Sequence, residues 1–359
     1  MSRPAAAPSD EAYTGTKPVE ERHRLDETKL DRWLADHVAG YRGPLTVLQF
    51  KGGQSNPTYR LDTPGRSYVL RRKPFGKLLP SAHAVDREFR IISALHKVGF
   101  PVARPYALCS DDSVIGAMFY IMAMVEGRVL WNGGLPNCSR EERGAIYRAE
   151  VETLAKLHQY DPEKLGLSDY GKPGNYFARQ IDRWSKQYRA SETEDIPEMN
   201  RLIEWLPQTV PAQERVSIVH GDYRLDNMIF DAKEPEIVAI LDWELSTLGD
   251  PLADFTYFLM NWAMPPEGRS GIAGLDIAAL GIPSIEEAEA LYCKLTNRKG
   301  VPDLNWYFSY NLFRIAAILQ GIAGRIRDGT AANARAAESV ARMGPLTKAA
   351  FAFAKKAGA

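Results

Sequence analysis

The stretch "VHGDYRLDNMIFD", Val219 to Asp231, decides how this chain is read. It sets a His, three Asp, an Arg and an Asn between two apolar runs. A half-buried strand has no use for so much polar chemistry. Asp222 stands two positions after His220 and five before Asn227. A carboxylate within hydrogen-bond reach of a hydroxyl can orient it and take its proton. An Asn carbonyl is a neutral oxygen ligand for a hard cation, and adds coordination without adding negative charge. A second candidate ligand lies in "EIVAILDWELS", where a short apolar strand ends at Asp242, fifteen residues after Asn227. Each of these residues alone has a structural explanation as a turn or helix cap. Taken together in this order, they point to a site, with Asp222 catalytic, Asn227 and Asp242 on a metal, and His220 bracing the loop.

The rest of the chain frames that loop. At 359 residues it is long enough for two lobes. Hydrophobic content of 45% and charged content of 25% are those of a globular protein. Lys plus Arg equals Asp plus Glu at 45 each, so no basic excess points to a nucleic-acid partner. The three cysteines, Cys109, Cys138 and Cys293, are too dispersed for a disulfide framework or a zinc site. No signal-peptide core opens the chain, and no uncharged run reaches the roughly 18 to 20 residues that span a bilayer. The expectation is a cytoplasmic protein without a membrane partner.

Residues 1–24, rich in Ala, Pro and charge, read as a mobile arm. A first lobe is expected over 25–126. It opens with a helix carrying Leu30, Trp33, Leu34 and Val38 at helical spacing after an Asp26 cap. Two antiparallel strands around Gly52-Gly53 and a third after "DTPGRS" follow. A helix then aligns Val85, Phe89, Ile92 and Leu95 and stops at Gly99. The run "MFYIMAMVEG" reads as a buried strand ending at Glu126-Gly127. From 127 to 359 the chain reads as helices, with one β interruption between Val216 and Glu244. This is an α+β architecture: a small β-rich lobe, a large helical lobe and a cleft between them.

The order His-x-Asp-x4-Asn has the spacing of a kinase catalytic loop. With "AILDWELSTLGDPLADF" downstream, the pattern resembles the aminoglycoside phosphotransferase family, over about residues 40–330. That resemblance implies a bilobal protein-kinase-like fold and ATP- and Mg²⁺-dependent phosphorylation of a small-molecule hydroxyl, with GTP also compatible as donor. It implies Asp222 as catalytic base and Asn227 and Asp242 as Mg²⁺ ligands. It also makes Asp250 and Asp254 of the Gly-Asp-Pro…Asp pattern supports of the catalytic loop. Asp250 should cap the helix, with Pro251 at its first position. His158 is expected to be a packing residue.

A phosphotransferase needs a nucleotide site in the small lobe. "FKGGQSNPTYRL" offers backbone N–H groups at Gly52, Gly53, Ser55 and Asn56 for phosphate oxygens. "YVLR" aligns with the kinase pattern Val-Ala-Ile-Lys, which puts Arg71 at the cation position opposite Glu88 of the next helix. Strand alternation sends Arg71 and Lys73 to one face and Arg72 to the other, and Arg71 ranks above Lys73. The backbone at Ala123, Met124 and Val125 is the candidate edge for the base. The acceptor site is expected from helices beyond residue 260, including "DLNWYFSYNLFRIAAILQGIAGRIRDG", where aromatic and apolar residues dominate (Trp306, Tyr307, Phe308, Tyr310 and Phe313). Between residues 265 and 330 seven acidic residues meet seven basic ones, so a polycationic antibiotic finds no acidic excess. "YVLRRKPFGKLLPSAHAVDREFRI" is similar to the phosphotransferase half of proteins fused to acyl-CoA dehydrogenases. That similarity implies a hydroxyacyl or other small metabolite as acceptor. A nucleotide-binding module without phosphotransfer is the alternative function.

Overall fold

The computed structural model describes residues 14–51, 56–75, 84–266, 270–329 and 336–359. The first helix, α1 (Glu27–His37), begins where the Asp26 side chain accepts from the Lys29 N–H at 3.0 Å. Leu30 and Leu34, one turn apart, are buried. Strands β2 (Thr46–Phe50), β3 (Thr58–Asp62) and β4 (Ser67–Arg72) pair antiparallel, as do β4 and β6 (Phe119–Ala123). Strand β4 is buried on both faces. Tyr68 and Leu70 join the core under α1, whereas Arg71 faces the helix α2 (Val85–Lys97) and the cleft. Helix α2 ends at Gly99, at φ 69°.

The structure corrects three readings of the small lobe. Residues 14–24, expected within a mobile arm, lie against the sheet: β1 (Thr16–Lys17) pairs with β2. The Glu20 N–H donates to Gln49 Oε1, and the Tyr59 hydroxyl donates to the His23 carbonyl at 2.9 Å. Composition misses this because the segment contributes mainly backbone pairing to an otherwise open strand edge, with Val19 its one apolar side chain packed on the small-lobe core. A further strand, β5 (Pro105–Cys109), flanks β6 and completes the order β1-β2-β3-β4-β6-β5. It starts at a proline, the kind of edge position that residue tolerates. Finally, β6 ends at Ala123 rather than at Glu126-Gly127, because Ala123 is the last residue paired with β4. Beyond it the chain crosses to the large lobe. Gly127 passes so close to the Phe230 carbonyl that a Cβ would sit 2.2 Å from its oxygen. Arg128 exchanges two backbone hydrogen bonds with Phe230 there, at 2.8 and 2.9 Å.

In the large lobe α3 (Arg140–Gln159) starts at Ser139, which accepts from the Glu142 N–H, and packs on α8 (Ile285–Thr296). Strands β8 (Met228–Phe230) and β9 (Ile237–Ile240) pair with each other, as do β7 (Ser217–Val219) and β10 (Thr247–Gly249). These two ribbons carry the polar loop. Helix α6 (Leu252–Leu259) follows, and α9 (Leu304–Arg327) runs through the centre of the lobe. Helices α4 (Tyr176–Ser191), α6 and α11 (Met343–Lys356) pack around α9. This position buries the aromatics of that helix. Trp306, Tyr307, Phe308, Tyr310 and Phe313 are all buried core residues, none more than 5% exposed. A helix surrounded by other helices must be apolar nearly all round, so its aromatics fill space rather than line a pocket. Among the described residues no helix is long and apolar enough to cross a membrane.

Candidate active site

The loop between β7 and β8 is held from beneath. Asp254, on the first turn of α6 and 1% exposed, accepts from the His220 N–H at 2.6 Å and the Gly221 N–H at 2.8 Å. Gly221 has φ 87°, and a Cβ there would meet the Leu245 carbonyl oxygen at 2.8 Å. A side chain at this turn is therefore strained and crowded. His220 is fully buried, with both ring nitrogens engaged. Nε2 donates to the Leu241 carbonyl at 2.8 Å, and Nδ1 accepts from the Asp222 N–H at 3.2 Å. A ring so tied locks the loop and has no free position for proton transfer. His158 contacts Tyr292 through Nδ1 at 2.7 Å and approaches Asp254 at 3.5 Å, buried within the core.

Asp250 stands at the start of α6. Helix α6 is assigned from Leu252, one residue later than expected, yet Asp250 Oδ1 accepts from the Leu252 N–H at 2.9 Å and so caps it. Burial pushes the Asp250 carboxyl up to about 6, against the cap hydrogen bond and the Arg298 charge, which pull it down. The folded state therefore holds the proton more tightly than the unfolded chain. The stability from this group is complete below its ordinary pKa of 3.8 and is lost as pH rises to about 6. Asp250→Asn keeps an acceptor for the cap and cannot ionise. Urea denaturation across pH should show the wild type losing roughly 3 kcal/mol relative to this variant between about pH 3.5 and 7. Parallel curves for the two proteins would contradict the assignment.

Above this base sit the chemical groups. Asp222 Oδ1 accepts the Tyr257 hydroxyl at 3.0 Å, and Oδ2 accepts the Asn227 amide at 3.0 Å. Asn227 Nδ2 also donates to the Asp222 carbonyl at 2.9 Å. The amide nitrogen is thus turned inward, which leaves the Asn227 carbonyl oxygen for a cation. Arg224 places Nε 3.1 Å from Asp222 Oδ1, a charge contact without an aligned N–H. Burial raises the Asp222 carboxyl, but the charges of Arg224 and Arg314 foremost, with the Tyr257 hydrogen bond, outweigh it and hold the pKa below the ordinary value. Asp242 follows β9 in the left-handed region at φ 61°, where few non-glycine residues sit. The backbone N–H of its neighbour Leu241 donates to the main-chain carbonyl of Asn227 at 2.8 Å, which joins the two ligand segments and leaves the side-chain oxygen Oδ1 untouched.

Arg71 links this group to the small lobe. Its guanidinium lies 2.9 Å from Glu88, 2.7 Å from Asp242 and 3.3 Å from Glu244. Burial opposes its charge, but Glu88 and Asp242 foremost, with Glu244, raise its pKa above the ordinary arginine value. Glu88 is 2% exposed and is also held by Tyr120 at 3.0 Å and Asn56 at 2.9 Å. Asn56 reaches Glu244 as well, at 3.2 Å. Lys73 instead pairs with Asp86 at 3.7 Å, near the surface.

The structure thus brings together Asp222, Asn227, Asp242, Arg71, Glu88 and Asn56, with His220, Asp250 and Asp254 behind them. Gly52, Gly53 and Ser55 lie outside the described residues. Asn56, expected to offer its backbone N–H, is fully buried and uses its side chain to fix Glu88 and Glu244. The half-buried segment Ala123–Val125 is narrower as a base edge than expected. The Ala123 N–H is taken by the Arg104 carbonyl at 2.8 Å, and that of Met124 by Ser67 at 3.4 Å. Sequence reasoning missed Tyr257, Arg314, Arg224, Tyr120 and Glu244. Arg314 did leave a signal, as a lone cation inside the apolar run "NLFRIAAIL".

Asn227 and Asp242 offer one amide oxygen and one carboxylate. Among the described residues no cluster of three or more His, Cys, Asp or Glu could hold a metal ion by itself. Such a pair suits a cation that keeps waters and takes phosphate oxygens from a substrate, which is how Mg²⁺ binds.

Comparison with known proteins identifies the family and the fold. The model of the "Phosphotransferase enzyme family" matches residues 46–291. A crystal structure from Ralstonia eutropha JMP134, provisionally designated an aminoglycoside phosphotransferase, is 51% identical. It superposes with a TM-score of 0.85 over 93% of this chain and 99% of that one. A thermostable mutant of aminoglycoside phosphotransferase APH(4)-Ia, solved with ADP and hygromycin B, shares the fold at a TM-score of 0.59. It is 15% identical, over 91% of this chain and 98% of that one. Mouse acyl-CoA dehydrogenase family member 10 is 42% identical over 96% of this chain but 32% of its own length. The chain spans less than half the length of the curated relatives it matches. With its kinase-like α+β fold and a model match across most of its length, this chain belongs to the phosphotransferase enzyme family.

Proposed function

We propose that this protein is an ATP- and Mg²⁺-dependent phosphotransferase acting on a hydroxyl of a small molecule. The observation that carries the reading is the junction of the lobes. Arg71 of the small lobe meets Asp242 of the large one, next to Leu241, whose N–H holds the Asn227 main-chain carbonyl, while the Asn227 side-chain amide binds Asp222. Asp222 orients the acceptor hydroxyl and takes its proton. Asn227, through its carbonyl oxygen, and Asp242 hold Mg²⁺, which when bound neutralises charge on the phosphates. Arg71, kept in place by Glu88, turns from Asp242 toward the phosphates when nucleotide enters. The amide of Val125 and the carbonyls beside it meet the base. Catalysis of this kind rests on positioning and charge.

The acceptor is a hydroxyacyl compound or a similar small metabolite rather than an aminoglycoside. A polycation needs carboxylates around the reacting hydroxyl, and here Asp222 is flanked by the cations Arg224 and Arg314. The relatives that contain this region are named as acyl-CoA dehydrogenases, which associates it with acyl substrates.

The test is Mg-dependent nucleotide binding by calorimetry. Asp242→Ala is expected to weaken MgATP binding by roughly tenfold or more and to leave Mg-free ATP binding little changed. Equal loss with and without Mg²⁺, or no loss, would refute the metal assignment. Phosphate uptake by hydroxyacyl thioesters, free hydroxy acids and aminoglycosides, assayed side by side, tests the acceptor class.

A further inference from the structure

Tyr257 carries an inference that rests on the phosphotransferase reading and deepens it. It sits on α6, three residues beyond the Asp254 that supports the loop backbone. Its hydroxyl is a neutral donor, because burial pushes its pKa up. The ring is fixed from the α9 side. The guanidinium of Arg314, 7% exposed, lies 5.5 Å from the Tyr257 ring centroid and 5.9 Å from that of Trp184. Arg314 also donates to the Gly221 carbonyl, in the same turn as Asp222. Helix α9 therefore reaches the reacting carboxylate through a buried cation and an aromatic ring.

The two oxygens of Asp222 are not equivalent. Oδ1 faces the Tyr257 hydroxyl at 3.0 Å and the Arg224 guanidinium at 3.1 Å. Oδ2 faces the Asn227 amide at 3.0 Å. A carboxylate offers about four lone-pair sites, two on each oxygen. Each oxygen accepts one of these side-chain hydrogen bonds, but the Arg224 guanidinium, which does not donate, also stands against Oδ1 and screens its second site, whereas that of Oδ2 has no such neighbour among the described residues. We propose that Tyr257, held by Arg314, is a positioning residue that occupies Oδ1 and so assigns Oδ2 of Asp222 as the atom that takes the acceptor's proton. In that step the acceptor O–H bond breaks and its proton moves to Oδ2. The acceptor oxygen forms a bond to the γ-phosphorus. The bond from that phosphorus to the bridging oxygen breaks, and its electron pair leaves on ADP.

Tyr257→Phe removes the hydroxyl and keeps the ring that Arg314 stacks on. The assay is turnover of MgATP by the full chain with water as acceptor, which needs no identified substrate. The expected result is a fall in kcat of about ten- to a hundredfold, the worth of a hydrogen bond to a charged group. KM for MgATP should stay within about twofold and the thermal midpoint should fall by only a few degrees, on the order of one lost hydrogen bond, since nucleotide contacts and ring packing remain. The same substitution placed in Asp222→Asn should cost nothing more, because Tyr257 acts through that carboxylate. A kcat within twofold of wild type, or an equal loss in both backgrounds, overturns the inference. If Asp222→Asn alone turns over like wild type, the phosphotransferase assignment of Asp222 fails instead. A wild type with no turnover on water or on any hydroxyl compound overturns both.

Discussion

Asp222→Asn is expected to lower phosphotransfer by about a hundred- to ten-thousandfold, the range that general-base catalysis contributes, with nucleotide binding retained. The substitution conserves volume and removes the charge and the basicity. Asp222 receives the Tyr257 hydroxyl on one oxygen and the Asn227 amide on the other, and neither of these partners is a base that could take over its role. Nearby His220 is fully buried with both ring nitrogens engaged. The phosphate contact proposed for Arg71 and the Glu88 that holds it stand on β4 and α2, outside the loop. Calorimetry should therefore find MgATP affinity within a fewfold of wild type while turnover collapses. Undiminished turnover would remove Asp222 from the chemistry.

Asp254→Ala is expected to be the most damaging change to the scaffold. The carboxylate is 1% exposed and accepts two backbone N–H groups, from His220 and Gly221, one on each oxygen. Alanine leaves both donors buried without an acceptor, and each orphaned group costs about 1–3 kcal/mol. Loss of the contact to His158 adds to this. Urea denaturation should show a loss on the order of 4 kcal/mol at an unchanged slope. The folded fraction should lose turnover as well, since Asp222 then sits on an untethered turn. Asp254→Asn, which keeps one acceptor oxygen, should fall between the two. A midpoint close to wild type for the alanine variant would mean that the loop is held from elsewhere.

Much of the fold is legible in the sequence because its signals are local. The cap at Asp26, Gly99 at the end of α2, alternation in β4 and apolar spacing in α2 each depend on neighbours a few residues away. The spacing of Asp222 and Asn227 is local too, set by a single turn of 3-10 helix between β7 and β8. What escaped had little local signature. The β1 segment is polar and gains its place by pairing with β2. The aromatics of α9 look like pocket residues until the neighbouring helices are seen to enclose them.

The amino-acid sequence by itself determined the α+β division, the phosphotransferase loop and the order of its carboxylates and amide. Those follow from the periodicity of side chains along one chain and from motif spacing. Only the tertiary structure decided the company each charge keeps. Asn56 and Glu244, 188 positions apart, close on one another around Arg71 and Glu88. Arg314 reaches Gly221 across 93 positions to hold the turn on which Asp222 stands. A buried charge must be paired or hydrogen-bonded. Its sequence position states that need, and only the packed chain supplies the partner.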